Sequence, residues 1–336
     1  MIGFIFTIDY EIYGTGEGSL KELIYDPAAK LIDIFLKHNA RFVPFVEVAE
    51  LELIEVNTAD PIIKSVKQQI RDFHNNGFEL GLHLHPQWYN GRYENGKWLL
   101  DYSEYNLCTL SRERIAQIVD RSINYLRQLL GVADFTPLSF RAGNWLLQPT
   151  EMAAEVLAER GIKVDSSVFK GGLQYEHKLD YRAALRNGHY WEFKEDVNIP
   201  HPNGNLLELP IYSQMVPIWK MFTAKRIGLQ RKAPSSVQTG RKNLNRFLDK
   251  LRFLYPLKLD FCRMTADEFS TMIDMVIKED QESPAVFRPI VAIGHTKDLV
   301  DFETVESVLS YLNRADISLT TFSNAYQICT NKLLRR

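Results

Sequence analysis

Apolar and polar residues along this chain follow two periods in turn, and the switches between them mark out the elements. Residues 2 to 8, Ile-Gly-Phe-Ile-Phe-Thr-Ile, form an apolar, β-prone run, and Asp26-Pro27 then caps a helical pattern through Leu31, Ile34 and Phe35. The order repeats with a strand from Arg41 to Glu47, a helix opened by Asp60-Pro61 and closed at Asn76-Gly77, and a strand from Phe78 to Leu84. Ser111 caps a helix running to Gly131, Leu138 to Arg141 reads as a short strand, and Pro149-Thr150 opens a helix that stops at Gly161. Ile162 to Ser166, Leu206 to Ile211, Pro289 to Gly294 and Ile317 to Thr321 are further strands, with helices near 265 to 279 and 302 to 313.

Strand and helix alternate throughout, which implies an α/β fold with parallel strands joined by helical crossovers. With about seven or eight strands, a closed β/α barrel is expected rather than an open sheet. No repeat, low-complexity tract or linker interrupts the pattern, so residues 1 to 336 read as one domain with insertions. Most of the irregular sequence falls in 86 to 110 and 170 to 260.

A hydrophobic share of 45% with 24% charged residues is globular, and a net charge of -2 gives no reason to expect nucleic acid. Cys108, Cys262 and Cys329 are an odd trio without CxxC spacing, so neither a disulfide framework nor a thiolate zinc site is indicated. The apolar first residues lack the basic start and small-residue cleavage site of a secretory signal. No apolar run approaches the roughly 20 residues that cross a bilayer. A cytoplasmic protein is the expectation.

In a β/α barrel the functional groups sit where strands end, because the loops there vary over a rigid base. Asp9 and Glu11 end the first strand, His83 and His85 the third, Arg141 the fourth and Asp165 the fifth, while His295 follows the apolar run 290 to 293. All are expected on one rim. Side chains two apart on an extended segment point the same way, so Asp9 with Glu11, and His83 with His85, can each present two groups to one point. Two imidazoles and a carboxylate suit a divalent ion, zinc first, which keeps three protein ligands and a water whose pKa falls from about 15.7 to about 7.

Each residue also has a plainer reading. A lone DxE pair is more often a solvated strand end, paired histidines are as often hydrogen-bonded as metal-bound, and Arg141 or Asp165 alone is most often a structural ion pair. Their shared place at strand ends outweighs those readings. The Gly14-Thr-Gly16-Glu-Gly18 loop lacks the spacing of a phosphate cradle and reads as a rim loop. Trp88, Tyr89, Trp98 and Trp145 lie near the rim, where an aromatic face stacks on sugar or packs into the core.

These segments resemble the NodB-like polysaccharide deacetylases, carbohydrate esterase family 4, in a DxE/HxH variant, and the resemblance runs from Thr7 to His295. Thr7-Ile-Asp9-Tyr-Glu11 looks like the first motif, whose first acid is the catalytic base and whose second binds metal. Gly77-Phe-Glu-Leu-Gly-Leu-His83-Leu-His85-Pro86 looks like the second, which supplies the metal histidines. Phe140-Arg141-Ala-Gly-Asn-Trp145 is similar to the third, whose arginine orients the base, Val164-Asp165-Ser-Ser167 to the fourth, and Ile293-Gly-His295 to the apolar-x-His motif. The commonest motifs would put the metal acid at Tyr10 and the second histidine at Gln87; here Glu11 and His85 stand in for them. By this resemblance the fold is a distorted barrel of the (β/α)7 type, with an insertion at about 170 to 260. His295 is then the general acid, and Asp165 orients it or tunes its pKa.

The resemblance implies metal-dependent deacetylation of an N-acetylated sugar, and the cytoplasmic expectation directs it to a lipopolysaccharide or capsule precursor. One rival is a glycosidase on a related barrel, with Asp9 or Glu11 as nucleophile; it needs two flanking carboxyls and has no use for paired histidines. Another is a glycan-binding protein that kept the barrel and lost the chemistry. No obligate protein partner is evident. Residues 214 to 263 are crowded with lysine and arginine, including Arg231, Lys232, Arg241 and Lys242, against only Asp249 and Asp260. That segment reads as a solvated helical insertion, or as a surface for anionic membrane or a pyrophosphate-linked donor.

Overall fold

The computed structural model describes residues 1–222 and 253–333. Most cations of the basic segment fall between them, so the expected helical insertion lies outside the described residues. One sheet holds nine strands: β1 (Ile2–Tyr10), β2 (Val43–Glu47), β3 (Gly81–Leu84), β4 (Ser139–Ala142), β5 (Val164–Asp165), β6 (Trp191–Phe193), β7 (Leu206–Glu208), β8 (Arg288–His295) and β9 (Ser318–Leu319). Its order is β6-β7-β5-β4-β3-β2-β1-β8, with β9 also pairing β1. Only β6 runs antiparallel to its neighbour among these strands.

The sheet curls toward closure. Past β7, Ile211 bridges both Phe169 and Val291 of β8, and the Tyr212 N–H donates to the Val291 carbonyl at 2.9 Å. Asp260 bridges Ile293 further along β8, so the seam is made of isolated bridges in place of a paired strand. β1 and β8 are buried along nearly their whole length, which is why both appear in the sequence as continuous apolar runs rather than alternating ones.

Helices α1 (Asp26–Lys37), α2 (Val48–Val56), α3 (Ile63–Asn75), α4 (Arg112–Leu130), α5 (Glu151–Glu159), α6 (Ala266–Glu282), α7 (Phe302–Arg314) and α8 (Phe322–Leu333) follow. Their limits obey the punctuation in the sequence. The Ser111 hydroxyl accepts the Arg114 N–H at 3.2 Å, a cap worth about 1 kcal/mol, and Gly131 closes α4 with a φ of 71°. Helix α2 and strand β6 had no clear signal: α2 is buried nearly all round and so carries no amphipathic stripe, and β6 is three residues long.

Ile5, Val43, Phe45, Val164, Leu207 and Val291 pack together inside the curl with Phe322, Ala325 and Cys329 of α8. Because α8 follows β9, which pairs with Gly3 and Phe4 at the start of β1, it closes the end of the barrel away from the strand C-termini. The irregular 86 to 110 stretch contains a hairpin, Arg92–Glu94 with Lys97–Leu99, and Ser213–Pro217 pairs antiparallel with Leu254–Lys258. Among the described residues no helix is long and apolar enough to cross a membrane.

Candidate active site

Strand register builds the site. Asp9 pairs with His295 across β1 and β8, while Glu47 pairs with His83 and His83 with Arg141 across β2, β3 and β4. Glu11 and His85, each two residues further on, extend the rows. All of these side chains are buried.

The Asp9 carboxylate accepts from Arg141 Nη1 at 2.6 Å, and its other oxygen lies 3.4 Å from His295 Nε2 and 4.0 Å from His83 Nε2. Arg141 is itself held on three sides: it donates to Thr7 Oγ1 at 2.9 Å and to the Ser166 carbonyl at 2.9 Å, and it sits 4.1 Å from the Phe45 ring centre. Glu11 Oε2 is 3.0 Å from His85 Nε2 and 3.4 Å from His83 Nε2, and Oε1 accepts from Lys297 at 2.7 Å.

The histidines are aimed by what holds their far sides. His83 Nδ1 donates to the Arg141 carbonyl at 2.8 Å, which leaves Nε2 facing the carboxylates. His85 Nδ1 meets the side-chain amides of Gln87 and Asn144, each at 3.3 Å. Gln87 Oε1 has no partner among the described residues; turning that amide over sets the oxygen against a Nδ1–H and frees His85 Nε2 as a ligand. The His85 ring also needs Gly143, where a Cβ would stand 2.5 Å from the Leu84 carbonyl and 2.8 Å from His85 Nδ1. Asn144 and Trp145 then take φ of 55° and 61°, a left-handed pair that costs about 1–2 kcal/mol per residue. The turn carries Asn144 to His85 and sets the Trp145 ring 6.2 Å from that of His295.

Charge in the cluster is set by burial against pairing. Burial pushes the Asp9 carboxyl up, but Arg141, then His83 and His295, bring it below its ordinary value. Glu11 ends well below its ordinary value, because Lys297 and the two histidines outweigh burial. Glu47 goes the other way, pushed by burial to about 8. Burial lowers the His83 imidazole, yet Asp9 and Glu11 more than reverse it and hold the ring at about 9. His85 and His295 stay below the usual histidine value, burial prevailing over their acid neighbours.

The donor set fits a divalent cation. Ligand atoms of Glu11, Glu47, His83 and His85 all lie within 4.8 Å of one another, and a second group, Asp9, Glu11 and His295, overlaps it. Glu47 Oε2 is buried without a hydrogen-bond partner among the described residues, a costly state that a cation would relieve, and Glu11 Oε2 faces the Nε2 atoms of both imidazoles, as a shared ligand position would. Mixed imidazole and carboxylate ligands suit zinc and neighbouring divalent metals.

Of the residues expected on the rim, Asp9, Glu11, His83, His85, Arg141 and His295 converge. Asp165 does not join them. Its register partner is Phe140, one position before Arg141, so alternation turns it to the opposite face of the sheet. There its carboxylate accepts from Ser167 N and Oγ, each at 2.8 Å, and faces its register neighbour Glu208, with burial raising both acids. The carboxylate facing His295 Nδ1 is Asp298, at 3.7 Å, which is held in turn by Arg263 at 2.6 Å. Trp88 is fully buried and Tyr89 nearly so, as core residues are.

Glu47, Lys297 and Asp298 were missed in the sequence. Glu47 ends the second strand and could have been found by the same rule as the others. Lys297 and Asp298 lie in a short turn just after His295, and nothing in their spacing marks them.

No family model and no curated relative matches the sequence. Solved structures do share the fold. A Mycobacterium smegmatis protein assigned as a polysaccharide deacetylase aligns over 98% of this chain and 91% of its own, with 14% identity and a TM-score of 0.57. GH57 branching enzymes from Thermococcus kodakaraensis and Pyrococcus horikoshii align over 97% of this chain and 70% of theirs, each at 12% identity, with TM-scores of 0.56 and 0.54. The fold is therefore shared with a protein assigned as a polysaccharide deacetylase. The branching enzymes share that fold too, so the choice between chemistries rests on the site.

Proposed function

We propose that the protein is a metal-dependent amide hydrolase that removes acetyl groups from an N-acetylated sugar, in one catalytic domain. The observation that carries this reading is the convergence of Glu11, His83 and His85 beside a separately held Asp9 and His295. Glu11, His83 and His85 would hold the ion, with Glu47, whose Oε2 is free among the described residues while Oε1 accepts from Ala49 N, able to close the set. When bound, the ion supplies an acidified water and polarises the acyl carbonyl.

The chain's own groups do the rest. Asp9, ionised and oriented by Arg141, takes the proton of the attacking water. His295 holds its Nε2 toward the reacting centre and gives a proton to the departing amine, with Asp298 near its Nδ1 to stabilise the imidazolium. Acetate and a free amino sugar leave. Asp165, behind Arg141, supports the strand rather than the acid.

The geometry disfavours the glycosidase. Retaining enzymes set two carboxyls about 5–5.5 Å apart on either side of a sugar. Here Asp9 and Glu11 instead converge on one imidazole nitrogen, and each is tied to its own cation.

The finer reading is a cytoplasmic step on a nucleotide-linked or lipid-linked precursor of lipopolysaccharide or capsule, with the basic segment touching the anionic donor or membrane. Reversing Arg231, Lys232, Arg241 and Lys242 to Glu then weakens capture of that donor or of anionic vesicles, as does salt. The main test is elemental analysis of protein purified without added metal, then acetate assays on a panel of acetylated nucleotide sugars. Metal with acetate release upholds the reading; sugar cleavage without acetate favours the glycosidase, and neither favours a binding protein.

A further inference from the structure

Lys258 ends the strand Leu254–Lys258, which pairs with Ser213–Pro217, and reaches the wall of the active site. Its ammonium lies 3.3 Å from the centre of the Trp145 ring and 4.8 Å from that of Phe169. The Trp145 ring stands 6.2 Å from that of His295, so this cation sits against the same aromatic wall as the proposed general acid. Among the described residues no carboxylate lies within 4.0 Å of it, whereas Arg263, Lys297 and Arg141 all have acid partners. Asp260, Arg263, Asp9 and Arg141 are the charged groups that act on it most, two of each sign. Burial lowers its ammonium to about 7, Asp260 opposing.

A half-buried ammonium held between two aromatic faces without a counter-ion is a poor arrangement for stability and a good one for receiving an anion. The aromatic faces fix its position while leaving its N–H groups free to donate, and they exclude the water that would screen it. Lys297 and Arg263 cannot serve this purpose, since Glu11 and Asp298 already take them.

Resting on the deacetylase reading, we propose that Lys258 is a specificity residue that binds an oxyanion of the substrate, a ring carboxylate or an anomeric phosphate, so that the enzyme takes acidic rather than neutral N-acetylated sugars. The anion docks on Lys258 while the acetamido group lies between His295 and the Glu11, His83 and His85 cluster. A neutral sugar leaves the ammonium unpaired and binds less tightly.

The experiment measures binding by calorimetry in the metal-loaded Asp9→Asn variant, with N-acetylated hexuronic acids, their hexose counterparts and the hexose 1-phosphates, in gluco and galacto configurations. At least one acidic ligand should bind roughly tenfold or more tightly than its neutral counterpart. Preference for the uronic acid identifies a ring carboxylate, and preference for the 1-phosphate an anomeric phosphate. Adding Lys258→Gln should erase the preference and Lys258→Arg should keep most of it, with thermal melting confirming that both remain folded. Equal affinity for acidic and neutral ligands, or a preference that survives Lys258→Gln, overturns the proposal. Failure of the deacetylase reading shows separately, as wild-type protein that releases no acetate from ligands it binds.

Discussion

Arg141 donates to Asp9 at 2.6 Å, with both side chains buried, and this pair sets both the direction and the charge of the proposed base. Residues 132 positions apart meet because β1 and β4 send them to one face of the curled sheet.

Replacing Arg141 therefore acts on Asp9 first. Arg141→Lys keeps a charge but not the planar fork that reaches Asp9, Thr7 and Ser166 together, and turnover should fall by about 100-fold. Arg141→Ala leaves a buried carboxylate unpaired, at about 3–5 kcal/mol of stability. Without its strongest opponent, burial raises the Asp9 carboxyl, so the acid limb of the rate profile moves to higher pH. An unmoved acid limb would show that Asp9 is not the group titrating.

His83→Ala and His85→Ala should each remove most bound divalent metal while the far-ultraviolet spectrum stays native, because the rim contributes little to the core. Elemental analysis beside circular dichroism checks this. Wild-type metal content in both variants would place the ion elsewhere.

Without metal, stability should fall as pH rises. The His83 imidazole, at about 9 in the fold against 6.5 ordinarily, contributes stability that is complete below pH 6.5 and lost as pH rises through 9. The Glu47 carboxyl, at about 8 against 4.5, acts in the same direction between those values. Deprotonation is also what a cation requires of its ligands, so metal affinity should climb over the same range and binding should release protons. Denaturant titrations at pH 6.5 and 9, with and without zinc, read this directly. Glu47→Gln should flatten part of the metal-free decline, and an identical slope would remove Glu47 from the account.

Gly143→Ala puts a methyl group 2.8 Å from His85 Nδ1 and 2.5 Å from the Leu84 carbonyl. The ring must move, and metal affinity should drop by roughly tenfold or more, as when a group aiming a ligand is lost. Competition with a fluorescent chelator gives the value. Unchanged affinity would mean that His85 is not a ligand.

Much of this site could be read in the chain because a β/α barrel puts chemistry at strand ends, and short apolar strands followed by Asp9, His83 and His295 are visible there. The same rule misled at Asp165. Strand end is not strand face, and the register that pairs Asp165 with Phe140 is a tertiary fact. Helix α2, buried nearly all round, has no periodic stripe to detect, and Lys258 reaches the site through tertiary pairings, of 254–258 with 213–217 and of Asp260 with Ile293. Glu47 was legible as the end of a predicted strand.

Hydrolysis of a carbon–nitrogen bond by water at this cluster leaves an isotopic signature in H2(18)O. Metal-loaded protein acting on an N-acetylated sugar should release acetate carrying one solvent oxygen together with an equal amount of free amine, and a chelator should abolish both until the ion is restored. Label at the anomeric carbon of a cleaved sugar, with no acetate released, would contradict it.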